Sequence, residues 1–133
     1  MITIKSPREV ELLRIAGNVV YKTHQYLKPF VKEGITTEEL NRLGEEYIIS
    51  QGCTPSFKGY EGFPAGICMS VNSEVVHGFP SKRKLKNGDI LTMDIGACWK
   101  DIMVIPDGHM QLETSLMMQN TSWNIQKKHC TLV

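Results

Sequence analysis

No feature of this sequence would staple it or hold it in a membrane. Its four cysteines, Cys53, Cys68, Cys98 and Cys130, form no C-x-x-C pair, which argues against a zinc knuckle or a dithiol redox motif. Met1 to Pro7 holds no apolar h-region, so no secretory signal is expected, and the cysteines are expected as reduced thiols in a cytoplasmic protein. No hydrophobic run approaches the length that spans a bilayer. Net charge is nearly absent as well: 15 Lys and Arg against 14 Asp and Glu leave +1, which gives no electrostatic case for nucleic acid or membrane binding. The one basic cluster, Lys82, Arg83, Lys84 and Lys86, reads as a solvated turn. G-x-S-x-G, P-loop and H-E-x-x-H patterns are missing, so a serine elbow, a phosphate cradle and a single-helix zinc site are set aside. No internal repeat or low-complexity run occurs.

What remains is an ordinary globular composition, 133 residues with 41% hydrophobic and 22% charged, enough for one domain. Ser6-Pro7-Arg8-Glu9 predicts a helix start: a serine cap, a proline in the first turn and a glutamate that completes a capping box. Val10, Leu13, Ala16 or Gly17, Val20, His24 and Leu27 then draw one apolar face, and Pro29 ends it. Thr36 and Glu39 predict a second capping box ahead of Leu40, Leu43, Tyr47 and Ile48, with Gly52 as the stop.

From Pro55 to Gly66 the texture changes. Gly59, Gly62, Pro64 and Gly66 alternate with Phe57, Tyr60 and Phe63, as in a loop that displays aromatic rings. Ile67, Met69 and Val71 predict a half-buried strand. Asn87-Gly88 predicts a turn, and Asp89 to Ala97 a second strand, with Ile90, Thr92 and Asp94 on one face and Leu91, Met93 and Ile95 on the other. The order helix, helix, strand, strand implies an α+β fold with helices packed on a sheet. From Asp101 onward no period of 2 or 3.6 is sustained, and no element is placed there.

Asp94 is the sharpest chemical candidate, because a carboxylate inside an apolar strand is costly unless it is paired or metal-bound. The competing reading is a strand-end aspartate that faces solvent. His77, in Val75-Val76-His77-Gly78-Phe79-Pro80, is either a structural histidine or a donor to a reacting carbonyl. Phe57, Tyr60, Phe63 and Cys68 are either core packing or the lining of a small apolar pocket, and aromatic rings suit an unbranched thioether. His109, His129, Asp107 and Glu113 are ligand types without a partner at useful spacing, and read as solvent-exposed.

Taken together, these segments resemble the type I methionine aminopeptidases. The resemblance rests on Ile4-Lys5-Ser6-Pro7 with its helix, Pro55-Ser56-Phe57-Lys58-Gly59-Tyr60, Gly62-Phe63-Pro64 and Ile67-Cys68-Met69-Ser70-Val71-Asn72. It continues through Val75-Val76-His77-Gly78-Phe79-Pro80-Ser81, Gly88-Asp89-Ile90 and Asp94-Ile95-Gly96-Ala97, and ends near Lys100. It implies the N-terminal half of the two-halved pita-bread fold. It implies hydrolytic removal of the initiator methionine from nascent polypeptides, by a monomeric cytoplasmic enzyme whose intact form holds two divalent ions of the Co, Mn, Fe, Zn or Ni type between two Asp, one His and two Glu. By match, Asp94 stands at the first aspartate ligand and His77 at the histidine that contacts substrate and the reacting carbonyl. Tyr60, Phe63 and Cys68 stand at the methionine side-chain pocket. Phe57 adjoins it, at a position where some family members carry cysteine.

The sequence then leaves the pattern. The family's second aspartate lies eleven residues after the first, in a Gly-(aromatic)-His-Gly-Asp turn; here that position is Ile105, with Asp101 and Asp107 near but misplaced. Loss of one G from a glycine codon after Lys100 would account for this. Asp-Ile-Met-Val-Ile-Pro can be encoded so that restoring the base gives Gly-Tyr-His-Gly-Asp-Ser, with an aspartate at position 105. The expectation is therefore a family half-domain over 1–100 and an out-of-frame, poorly ordered tail over 101–133, with the metal pair not retained and the chain inactive by itself. The alternative is a non-catalytic half-domain kept as a binding module, for a partner such as the ribosome.

Overall fold

The computed structural model describes residues 4–100 and the backbone of two short strands at 102–104 and 110–113. The first helix, α1 (Pro7–Leu27), starts as its sequence implies. The Glu9 N–H donates to Ser6 Oγ at 3.3 Å, and the Glu9 carboxylate accepts from the Ser6 N–H at 2.7 Å. A 3₁₀ turn (Lys28–Phe30) follows. The buried stripe of α1 is Ala16, Val19, Val20, Thr23, His24 and Leu27. Val10, assigned to that face by its spacing, is 53% exposed; the buried stripe begins only at Ala16, so the first two turns carry the apolar face beyond the core. In α2 (Thr37–Ser50) only half of the expected capping box forms. Thr36 Oγ1 accepts from the Glu39 N–H at 3.1 Å, but the Glu39 carboxylate turns forward to Arg42. Gly52, at φ +78°, ends the helix from the left-handed region that glycine adopts without strain.

Two three-stranded antiparallel sheets follow, one ordered β1-β4-β5 and the other β2-β3-β6. Their strands are β1 (Thr54–Pro55), β2 (Ile67–Val71), β3 (Ile90–Ile95), β4 (Ala97–Trp99), β5 (Ile102–Val104) and β6 (Met110–Glu113). The single strand expected over Asp89 to Ala97 is divided at Gly96. There the chain passes from one sheet to the other, and the Gly96 carbonyl accepts from the Ser56 N–H at 3.1 Å. The alternation expected on β3 is present: Leu91, Met93 and Ile95 are buried, while Ile90 is exposed and Thr92 and Asp94 are half-buried. The buried row joins Val19, Val20 and Leu27 of α1 and Leu40 and Ile48 of α2 in the core. Burying such aliphatic side chains stabilises by about 1.5–3 kcal/mol each.

β2 is buried on both faces, not one. The Gly78 backbone is bonded to its edge, away from β3. The Met69 N–H donates to the Gly78 carbonyl at 2.8 Å, and the Gly78 N–H donates to Ser70 Oγ at 3.1 Å. The turn at Asn87-Gly88 is as expected, and Asn72, at φ +57°, clamps its far side by accepting from the Ile90 N–H and donating to Asp89. Two strands, β5 and β6, lie where no element was expected. They pair with β4 and β3 through main-chain bonds, which an open strand edge offers whatever the side-chain pattern. Asp101, Ile105, Asp107, His109, His129, Cys130 and the rest of the tail lie outside the described residues, as does the side chain of Glu113.

His24 makes stability depend on pH. It is 5% exposed, and its Nδ1 meets no hydrogen-bond partner among the described residues. Burial pulls its imidazole from 6.5 to about 4. The unfolded chain binds a proton below about pH 6.5 that the folded chain refuses until about pH 4. This contribution is therefore complete above the upper value and is lost as pH falls through the window, by about 3 kcal/mol in all. Thermal melts of His24→Leu between pH 7 and 5 are expected to be flatter than those of the parent chain; parallel curves would contradict the assignment.

Candidate functional site

The loop between β1 and β2 builds itself before it builds a site. Gly59, at φ +82°, lets the chain fold back, so that its N–H donates to the Phe63 carbonyl at 2.8 Å. The Tyr60 N–H donates to the Phe57 carbonyl at 3.0 Å and the Phe63 N–H to the Tyr60 carbonyl at 2.8 Å, closing a 3₁₀ turn over Tyr60–Gly62. The turn brings two rings together. Phe57 and Phe63 meet edge to face with centroids 6.5 Å apart, and Phe63 stacks on Phe79 at 5.2 Å. Edge and offset contacts of this kind contribute about 0.5–1.5 kcal/mol beyond area burial.

Phe57 also reaches Gly96, just past the strand that carries Asp94. A Cβ at Gly96 would lie 3.2 Å from Phe57 Cζ and 1.9 Å from Ser56 Oγ, so this approach requires glycine. Two residues earlier, Asp94 is paired directly with Cys68 across β2 and β3, and directly paired residues point to the same face of an antiparallel ladder. A pocket candidate and a ligand candidate are thereby side by side. Burial, with the Asp94 charge adding to it, pushes the Cys68 thiol up to about 11. At neutral pH it is a neutral thiol, which removes it as a nucleophile and leaves it as a polarisable apolar wall.

His77 stands apart from these contacts. It is exposed and sits at φ +58°, a left-handed conformation that histidine, like asparagine and aspartate, adopts more often than other non-glycine residues. The next residue, Gly78, is pinned to β2. A Cβ there would be 2.2 Å from the Met69 carbonyl oxygen. The histidine is thus held at the end of a fixed backbone, on the β2 side of the pair that carries Cys68 and Asp94. Tyr60 is joined to the site only through the loop backbone, and its ring is 55% exposed. Sequence reasoning missed Phe79 as a wall. Its signal, an aromatic between Gly78 and Pro80, was visible, but nothing in the spacing showed that a residue sixteen positions away would stack on Phe63.

Among the described residues no three His, Cys, Asp or Glu side chains come together as a metal site would require. One carboxylate beside one neutral thiol does not fit a pair of divalent ions, which call for several oxygen or nitrogen donors. No helix among the described residues is long and apolar enough to cross a membrane.

Comparison with known proteins gives this arrangement a context. A model described as metallopeptidase family M24 matches residues 11–104. Methionine aminopeptidase 1 of Bacillus subtilis is 54% identical over 97 residues, covering 73% of this chain and 39% of the relative. A methionine aminopeptidase of Clostridium perfringens is 51% identical over 98 residues, covering 74% of this chain and 39% of its own. The solved methionine aminopeptidase of Thermotoga maritima superposes with a TM-score of 0.79 at 34% identity, over 86% of this chain and 46% of that one. The chain spans about two fifths of the length of the curated relatives it matches.

Proposed function

The chain belongs to metallopeptidase family M24 and carries part of its pita-bread fold, and from that membership we propose that residues 1–100 are the substrate-binding half of a cytoplasmic methionyl aminopeptidase. In this reading Phe57, Tyr60, Phe63 and Cys68 enclose the side chain of an N-terminal methionine on a nascent polypeptide. Asp94 is one ligand of the family's metal pair, and His77 donates a hydrogen bond to the carbonyl of the bond to be cut. The observation that carries it is the β2–β3 register, which sets Cys68 opposite Asp94 and so joins a thioether-compatible wall to a carboxylate. In a methionine aminopeptidase these two functions must lie a few ångströms apart. No hydrolytic step is assigned to these residues, because one carboxylate does not hold two ions.

The departure after Lys100 belongs to the same reading. Residues beyond that point are proposed to be out of frame. The match to the Bacillus subtilis relative extends over 97 residues, and the family model ends at residue 104; Ile105 stands where a metal-binding aspartate is called for.

Titration of the chain with L-methioninamide, followed by ligand-observed NMR, tests the pocket. Saturable binding at least about tenfold tighter than that of lysinamide is expected, because an apolar lining leaves an ammonium unpaired. Phe63→Ala is expected to lose that preference. Equal binding of both amides would refute the pocket assignment.

A further inference from the structure

Side chains of α2 hold the aromatic loop, not a strand ladder. Asn41 Oδ1 accepts from the Ile67 N–H at 3.0 Å and from the Gly66 N–H at 3.2 Å. Glu45 Oε1 accepts from the same Gly66 N–H at 2.8 Å, and from Asn41 Nδ2 at 2.9 Å. At the other end of the loop, Lys58 Nζ reaches Glu45 Oε2 at 2.5 Å. Both ends of the stretch 58–66 are therefore tied to a single turn of α2, where residues four apart are neighbours. Burial alone would push the Glu45 carboxyl up; the Lys58, Asn41 and Gly66 donors outweigh it and hold the group below its ordinary value. The approach is close enough to require glycine at position 66, where a Cβ would lie 2.6 Å from Glu45 Cγ and 2.9 Å from Pro55 Cβ.

These bonds are not generic surface pairs. Gly66 and Ile67 are buried, and a buried N–H left without an acceptor costs about 1–3 kcal/mol. The two acceptors therefore set where β2 begins, and with it the position of Phe57, Tyr60 and Phe63 relative to Cys68.

We propose that Asn41 and Glu45 are positioning residues that fix the depth of the methionine-side-chain pocket by holding the Gly66 and Ile67 amides and the Lys58 ammonium. The proposal rests on the reading of the 57–68 stretch as that pocket. It assigns specificity to two α2 side chains outside the set Phe57, Tyr60, Phe63 and Cys68.

Amide hydrogen exchange by NMR on the whole 133-residue chain tests it. Asn41→Leu removes an acceptor at similar volume. The Ile67 amide, which loses its acceptor, is expected to exchange at least about tenfold faster and the Gly66 amide, which keeps Glu45 Oε1, by a smaller factor, with a weakened Phe63–Phe79 ring cross-peak, while the Met69 and Met93 amides change by less than about twofold. The double variant Asn41→Asp/Glu45→Gln keeps an acceptor oxygen at each position and a donor between them, and is expected to restore protection to within about twofold of the parent. L-Methioninamide binding is expected to weaken at least about fivefold in Asn41→Leu and to return in the double variant. Three results would overturn the proposal: unchanged Gly66 and Ile67 exchange, acceleration of Met69 and Met93 in step with them, or no rescue by the swap. If the parent chain binds no methioninamide at all, the pocket reading falls, and the exchange pattern still decides whether Asn41 and Glu45 hold the loop.

Discussion

A Met-Ala-Ser peptide incubated with this 133-residue chain and Mn²⁺ or Co²⁺ is expected to remain intact, at a rate on the order of 10⁴-fold or more below that of a full-length relative. The magnitude follows from what a metal pair does for peptide hydrolysis. Polarising the carbonyl and supplying a hydroxide at neutral pH together lower the barrier by several kcal/mol, and each 1.4 kcal/mol is tenfold. Among the described residues Asp94 belongs to no group of three metal-binding side chains, and position 105 holds an isoleucine. In the proposed reading His77, Cys68 and the aromatic loop would bind and orient a methionine, but binding that is equal in ground and transition states lowers KM without raising kcat. The encoding DNA supplies the second arm. One G restored after the Lys100 codon is expected to open a frame reading Gly-Tyr-His-Gly-Asp, with an aspartate at position 105, and its product is expected to cleave the same peptide in the presence of metal. Robust cleavage by the 133-residue chain itself, or an adjacent frame with no family continuation, would sink this account.

The parts of the molecule that could be read from its sequence are those where one local signal decides. The Ser6–Glu9 box, the stop at Gly52, the turn at Asn87-Gly88 and the alternation along β3 each depend on a few neighbouring residues, and each appears in place. Misread features depend on distant partners. Glu39 was expected to cap its own helix, but Arg42 offers a guanidinium that outcompetes one backbone N–H. β2 was expected to expose one face, but it is buried on both, and the Gly78 segment, seven residues beyond the strand, bonds to its edge and to Ser70. The division of a single strand at Gly96 depends on Ser56 and Phe57, some forty positions earlier.

The candidate site divides the same way. Its residue types, an aspartate in an apolar strand and aromatics among glycines, were legible. Their adjacency was not, because strand register is a tertiary fact. Phe79 as a third ring, and Asn41 and Glu45 as the ties of the loop, have no sequence pattern of their own. They look like an aromatic in a turn and two polar residues on a helix surface.

Gly78→Ala is expected to be strongly destabilising, because its added methyl group meets main-chain atoms. Its Cβ would sit 2.2 Å from the Met69 carbonyl oxygen, 2.7 Å from the Met69 carbonyl carbon and 2.8 Å from Ser70 Cα. All three are main-chain atoms of a buried strand, so no rotamer change relieves the clash. Gly44→Ala differs: its nearest obstacle, at 2.3 Å, is the Ile67 Cδ1 methyl, the far end of a flexible side chain. At Gly78 the backbone must move away, and the two bonds that pin it, Met69 N–H to Gly78 O and Gly78 N–H to Ser70 Oγ, lengthen or break. Two hydrogen bonds at about 1 kcal/mol each, with overpacking of about 1–3 kcal/mol, give a loss of about 3–5 kcal/mol. For a domain of this size that lowers Tm by roughly 15–25 °C. Gly17→Ala is the internal control. Nothing lies within 4 Å of its Cβ position on α1, and a helical Gly→Ala change is expected to stabilise by about 0.5–1 kcal/mol. The site is affected along with the fold, because His77 directly precedes the displaced residue. Any methioninamide affinity of the parent chain is expected to fall in Gly78→Ala at temperatures where the variant is still folded. A melting temperature for Gly78→Ala within about 2 °C of the parent would show that the Gly78 segment can shift off β2 at little cost, and that it is not the fixed support this site requires.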